Sequence, residues 1–194
     1  MQNDDLLIEV KGLKTHFFLD QGTVKAVDGV DFDIHRGETL CIVGESGCGK
    51  SITARSIMQI VDPPGRIVEG QILLHRRQTG NGTGQFEEVI DLATLAPNSR
   101  QIRTIRGKEV SMIFQEPMTS LSPVHTIGFQ ISQAIRLHNP VTKEQARQQT
   151  IEVLRLVGIP KPELRIDAYP FQLSGGMRQR AMIAMALSCR PSLL

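Results

Sequence analysis

At 194 residues the chain can bury one full core, and 40% hydrophobic with 22% charged residues is the balance of a globular protein rather than a disordered one. No apolar run approaches the roughly 20 residues that a bilayer-spanning helix needs, and a net charge of +2 gives nucleic acid no support as a partner. The start, Met1-Gln2-Asn3-Asp4-Asp5, is acidic and unlike a signal peptide, and Cys41, Cys48 and Cys189 show neither metal spacing nor an even disulfide framework, so a cytoplasmic setting is expected.

In chain order, Leu6 to Phe18 opens on Leu-Leu-Ile-Glu-Val and reads as an edge strand. Asp20-Gln21-Gly22 makes a turn. From Val24 to Ile34, Val30, Phe32 and Ile34 alternate with Asp31 and Asp33, the period of a half-buried antiparallel strand. His35 to Glu38 turns into Thr39-Leu40-Cys41-Ile42-Val43, which reads as a buried strand. Gly44-Glu45-Ser46-Gly47-Cys48-Gly49-Lys50-Ser51 follows, and then Ile52 to Met58 with helical apolar spacing. Beyond the Asp62-Pro63-Pro64-Gly65 loop, Ile67 to Leu74 is a further strand. His75 to Gln85, with Gly80-Asn81-Gly82-Thr83-Gly84, is expected to be an exposed loop before pairing resumes at Val89 to Leu92.

Asn98 to Ile105 reads as a short basic helix, with Arg100, Arg103 and Arg106 as a solvated face. Val110 to Phe114 is a second apolar strand ending in Gln115-Glu116-Pro117. Ile127 to His138 and Lys143 to Val157 read as amphipathic helices. Thr142 with Gln145 fits a capping box, and Gly158 fits a helix stop. His125 and His138 are isolated and read as non-catalytic. After the Ala168 to Gln172 loop comes Leu173-Ser174-Gly175-Gly176, then an apolar helix from about Met177 to Leu187. Arg190-Pro191 stops it, and Ser192 to Leu194 looks like the start of another strand. The alternation after residue 38 predicts an α/β fold with a mainly parallel sheet.

The stretch Gly44–Ser51 is G-x-x-x-x-G-K-S, the phosphate-binding loop or Walker A pattern, in its required strand–loop–helix setting. Glycines let backbone N–H groups turn toward phosphate oxygens, and the helix start adds its positive dipole end. Gly44, Glu45, Ser46, Gly47, Cys48, Gly49, Lys50, Ser51 and Ile52 are therefore the candidate phosphate contacts. Lys50 is expected to reach the outer phosphates and the Ser51 hydroxyl to ligate Mg²⁺. Cys48, beside Lys50 and a helix start, is expected to favour the thiolate and to be labelled by thiol reagents unless ATP protects it. Cys41, in a strand, and Cys189, near a helix end, are expected to be inert. At the second glycine element Ser174 can cap a helix and leave outward-facing amides, which makes either an anion site or a plain cap. Phe17 is read either as core or as an adenine-stacking ring.

Walker A, a glutamine after an apolar strand and Leu173-Ser174-Gly175-Gly176-Met177 together resemble the nucleotide-binding domain of ABC transporters, from about residue 6 onward. The resemblance implies a P-loop NTPase (RecA-like) core, with an antiparallel β portion at the N-terminus and a helical insert. Residues 6–117 would be the β portion and core, about 118–170 the insert, and 171–194 the signature element and its helix. It implies ATP and Mg²⁺ as cofactors. Gln115 matches the glutamine that senses Mg²⁺ and the attacking water, a catalytic and metal-linked role shared with Lys50 and Ser51. Ser174, Gly175 and Gly176 match the signature that binds the γ-phosphate held by a second subunit. Phe17 falls best on the aromatic position that stacks on adenine.

Ile105-Arg106-Gly107-Lys108, Met112 to Leu121 and Tyr169 to Leu187 look like the oligopeptide and dipeptide importer ATPases, whose close relatives serve glutathione and nickel. Small departures are Ser122, Phe129 and Cys48, where Asn, Glu and Ser are usual. The implied role is to power import at the cytoplasmic face of the plasma membrane. Its implied partners are permease subunits, met by the loop around Met118 to Pro123 and by the insert, a second ATPase subunit, and indirectly a solute-binding protein. The family's aspartate–glutamate pair, which would include the general base, is expected beyond Leu194. The chain is accordingly read as an incomplete, N-terminal part, unstable and without steady turnover by itself. A regulatory nucleotide-binding fragment and a non-transport ABC ATPase are the competing readings.

Overall fold

The computed structural model describes residues 5–79, 85–116 and 120–194. The glycine-rich stretch Gly80–Gly84, and residues 117–119, which include the start of the loop expected to meet a permease, lie outside the described residues. The chain divides into two compact units, Met1–Arg103 and Thr104–Leu194.

In the first unit, β1 (Leu6–Leu19), β2 (Gly22–His35), β3 (Gly65–Thr79) and β4 (Gln85–Asp91) form an antiparallel sheet in the order β2-β1-β3-β4. β1 is thus an interior strand, not the expected edge, because it finds ladder partners on both sides. Its consecutive buried Leu6, Leu7 and Ile8 are the continuous apolar run of a strand covered on two faces. β2, with its alternating aspartates, takes the edge instead, a placement that charged side chains suit. β3 and β4 run further than the sequence suggests. Pairing extends out to Thr79 and Gln85, so most of the expected His75–Gln85 loop is strand.

One irregularity in β1 governs the site. Between residues 10 and 14 its register slips against both β2 and β3. Gly12 lies there with φ 53°, its N–H donating to Asp31 Oδ1 at 2.8 Å. Before the bulge Ile8 and Val10 are buried; after it Leu13 and Thr15 are. An inserted residue changes which parity faces inward. Helix α1 (Lys50–Ile57) lies against the sheet and buries Thr53, Ser56 and Ile57.

Thr39–Val43 does not form the expected strand. Leu40, Ile42 and Val43 are exposed, Val43 by 88%, and Cys41 is exposed with them. A strand is a paired state, and no described segment supplies this one with a ladder. The burial argument for an inert Cys41 therefore fails.

The short helix α2 (Arg100–Ile105) carries the chain into the second unit. There α3 (Ile127–His138), α4 (Lys143–Leu156), the single turn α5 (Pro162–Arg165) and α6 (Gly175–Leu187) enclose a core. Ile127, Ile131, Ile135, Leu154, Ile166 and Ala181 form its centre. Their spacing in α3 is i, i+4, i+8, the apolar stripe of an amphipathic helix. The Thr142–Gln145 capping box forms with both bonds, at 3.2 and 2.9 Å, and Gly158 stops α4 at φ 76°.

Val110–Phe114 is not a full strand. Val110 makes single parallel bridges to Arg106 and Leu193, and Ser111 N–H donates to the Leu193 carbonyl at 2.9 Å. These bridges are the only parallel pairings among the described residues, so the expected parallel sheet is present only in outline. Arg106 is half-buried rather than solvated, and burial lowers its guanidinium below the ordinary value.

Candidate functional site

The first unit holds the candidate phosphate loop, Gly44–Ser51, and Phe17. Gly44 to Cys48 are exposed, while Gly49 and Lys50 are half-buried. Gly49 precedes α1 with φ 93°, and a Cβ there would collide with the Ala26 carbonyl oxygen of β2. Only glycine satisfies both the backbone angle and that approach. Gly47, at φ 84°, completes the turn.

The start of α1 is open. It has no side-chain cap and no acidic residue in its first turn. The N–H groups of Lys50, Ser51 and Ile52 have no carbonyl one turn earlier to bond, as at any helix start. Lys50 Nζ donates to the Gly44 carbonyl at 2.7 Å and to the Glu45 carbonyl at 2.6 Å, with Cys48 Sγ at 3.4 Å. Three ammonium donors are thus committed to the loop's own acceptors. The Glu45 carbonyl also accepts from the Cys48 N–H at 3.4 Å.

These features fit a phosphate group. An anion at the mouth of the loop offers Lys50 better acceptors than neutral carbonyls, since charge-assisted hydrogen bonds are about twice as strong. The exposed Ser51 hydroxyl stands on the first turn of the same helix. No cluster of three or more His, Cys, Asp or Glu able to hold a metal occurs among the described residues. Mg²⁺ commonly takes its ligands from water and substrate phosphates beside a few protein oxygens, and the Ser51 hydroxyl is one such oxygen.

Phe17 lies on β1 beyond the bulge, half-buried, with its ring over Gly65 of β3 and near Val61. Phe18 points elsewhere: it is exposed, with the Arg66 guanidinium 4.4 Å above its ring. Sequence reasoning missed two features beside Phe17. Buried Thr15 and Ser56 share a hydrogen bond of 2.8 Å, and Gly65 abuts the aromatic ring. Ser56 could have been found as a polar residue on the buried face of α1. Gly65 read only as loop punctuation after two prolines.

The second unit holds Gln115 and the second glycine element. Gln115 is exposed in a bend past the Val110 bridge. Ser174 caps α6, its Oγ accepting from the Met177 N–H at 3.3 Å. Gly175 and Gly176 are exposed, and a Cβ on either would meet nothing within 4 Å. Arg178 Nε donates to the Leu173 carbonyl at 3.1 Å and fixes the approach to the helix. Cys189 is half-buried beside Asn139 and Ser188, and burial raises its thiol above the ordinary value, in keeping with an inert thiol. His125 stacks on Phe129 with ring centroids 4.7 Å apart and bonds Ser122 Oγ at 2.9 Å. Burial, then the nearby Lys108 charge, lowers the His138 imidazole below its ordinary value.

A family model described as "ABC transporter" matches residues 27–194. A probable peptide ABC transporter ATP-binding protein of Sinorhizobium fredii is 46% identical over 98% of this chain, which covers 52% of that protein. A dipeptide transport ATP-binding protein of Haemophilus influenzae is 48% identical over 97% of the chain, and 52% of it is covered. An oligopeptide transport ATP-binding protein of Bacillus subtilis is 50% identical over 97% of the chain, and 53% of it is covered. The chain thus spans about half the length of these curated relatives. Among solved structures, the dimeric MJ0796, a bacterial ABC transporter cassette, matches with a TM-score of 0.76 at 23% identity. That match covers 95% of this chain and 71% of the other.

Proposed function

We propose that this chain, which belongs to the ABC transporter family, is the ATP-binding part of a subunit that powers import of peptides or related small solutes. The observation that carries the nucleotide part is the open start of α1, with Lys50 held at the mouth of the glycine loop. The import part rests on relatives named for peptide, dipeptide, oligopeptide and glutathione transport.

Lys50 exchanges the Gly44 and Glu45 carbonyls for phosphate oxygens, and the amides of the loop and of the first turn of α1 close around the same group. Phe17 stacks on the base. Mg²⁺, bound with the triphosphate, would supply charge neutralisation for hydrolysis. Ser51 would hold it through its hydroxyl oxygen, and Gln115 would sense it and orient the attacking water. Ser174 keeps its own proton free to donate while its oxygen caps α6. With the Gly175 and Gly176 amides it meets the γ-phosphate held by a second ATPase subunit. The helical second unit faces the cytoplasmic loops of permease subunits, so the protein works at the cytoplasmic face of the plasma membrane. A solute-binding protein acts indirectly, through the permease.

The test joins binding to transport. Mg·ATP binding by the chain is measured calorimetrically, and uptake of a labelled dipeptide and a labelled pentapeptide is followed in cells lacking the gene. Saturable ATP binding and lost peptide uptake are expected. ATP binding with unchanged peptide uptake would overturn the import reading and leave the nucleotide reading standing.

A further inference from the structure

The separation between the base-stacking ring and the phosphate loop is set by residues outside both. Thr15 and Ser56 are each 0% exposed, and their hydroxyl oxygens are 2.8 Å apart. Ser56 Oγ is also 2.7 Å from the Ile52 carbonyl oxygen, one turn earlier in α1. A hydroxyl has one proton. Ser56 gives its proton to Ile52, so Thr15 donates to Ser56. β1 is thereby joined to the helix that begins at Lys50, two residues from Phe17. The bulge at Gly12 is what turns Thr15 onto this face.

The second anchor is Gly65. A Cβ there would lie 2.5 Å from Phe17 Cε1, 2.7 Å from Phe17 Cζ and 2.7 Å from Val61 Cγ1. The first four residues after the turn that ends α1 are Ile60 to Pro63, so Val61 also belongs to the chain leaving that helix. Gly65 has no positive φ, so its lack of a side chain answers to the ring and not to the backbone. The ring therefore rests on β3 and against the exit of α1, while its strand is bonded to the last turn of α1. Two contacts, at Val61 and through Thr15–Ser56, thus tie the ring and its strand to the helix that begins at Lys50, and a third, at Gly65, rests the ring on β3.

We propose that Thr15, Ser56 and Gly65 are positioning residues that hold Phe17 at a fixed offset from the phosphate loop. The chain then reads an aromatic base and a triphosphate together, and it discriminates base-bearing triphosphates from bare polyphosphate. This inference rests on the proposed reading of Phe17 as the base-stacking ring.

The experiment measures dissociation constants of the chain for Mg·ATP and for magnesium-saturated inorganic tripolyphosphate, and takes their ratio. Thermal midpoints are recorded alongside. Phe17→Ala is expected to reduce the preference for ATP at least about fivefold, the scale of one lost stacking contact. Thr15→Val and Gly65→Ala are expected to reduce it by about threefold or more while tripolyphosphate affinity stays within about twofold. Thr15→Ser keeps the donor and is expected to keep the wild-type ratio.

A purely structural role would lower the thermal midpoint and both affinities together, leaving the ratio unmoved. A ratio lost in Phe17→Ala but intact in Thr15→Val and Gly65→Ala overturns the positioning role alone. Loss in Thr15→Ser equal to that in Thr15→Val also overturns it. An unchanged ratio in Phe17→Ala overturns the stacking reading, and the inference with it. If Thr15→Val does not fold, Ser56→Ala and Gly65→Ala decide by the same ratio.

Discussion

Two helix starts in this molecule lie at glycines, α1 just after Gly49 and α6 at Gly175 itself, and they solve the same electrostatic problem in opposite ways. α1 begins with no side-chain cap after Gly49, and its nearest cation is turned inward onto the Gly44 and Glu45 carbonyls. α6 begins with Ser174 bonded to the Met177 N–H, and its glycines stand in open space. The first start is incomplete by itself and satisfies its ammonium from within. The second is complete as a helix cap and still leaves two amides outward. An open start with its own cation is suited to retaining a multiply charged ligand. A capped start with small residues is suited to approaching a phosphate that another molecule holds.

The largest test of this contrast is Lys50→Ala. Each charge-assisted bond lost is worth about 1.5–3 kcal/mol, so ATP affinity is expected to fall about a hundredfold. Calorimetric titration measures it. A fall of less than threefold would remove the cation from the first start and erase the contrast.

A pair of glycine substitutions separates backbone need from ligand need. Gly49→Ala meets both a φ of 93° and the Ala26 carbonyl, and is expected to cost about 1–3 kcal/mol of stability in chemical denaturation. Gly175→Ala meets nothing within 4 Å and is expected to change stability by no more than about 0.5 kcal/mol. Equal costs would show that the two loops are the same device.

The smallest effect concerns the caps. Ser174→Ala removes the oxygen that accepts from Met177 and is expected to cost about 1 kcal/mol. Ser51→Ala removes an exposed hydroxyl from an uncapped turn and is expected to cost about 0.5 kcal/mol or less in the absence of ligand. Denaturation midpoints of the two variants, compared under identical conditions, check the difference.

Much of the helical second unit was legible beforehand. The Ile127, Ile131, Ile135 stripe, the Thr142–Gln145 box and the Gly158 stop each act within one or two turns, so local spacing is enough to specify them. The sheet was less legible. β1 was expected at an edge because strand order depends on which distant segments pair, and no local pattern in Leu6–Leu19 names its partners. Thr39–Val43 shows the same limit from the other side: an apolar run has strand propensity, but a strand requires a ladder.

By itself, then, the sequence determined the glycine loop before α1, the second glycine element and the longer helices, because these rest on residue spacing and on glycine's missing side chain. Only the tertiary structure decided that a bulge at Gly12 turns Thr15 toward Ser56, and that Gly65 is bare because an aromatic ring lies over it. Those contacts join residues 41 and 48 positions apart. Contacts at that range depend on how strands and helix are brought together, which no local pattern encodes.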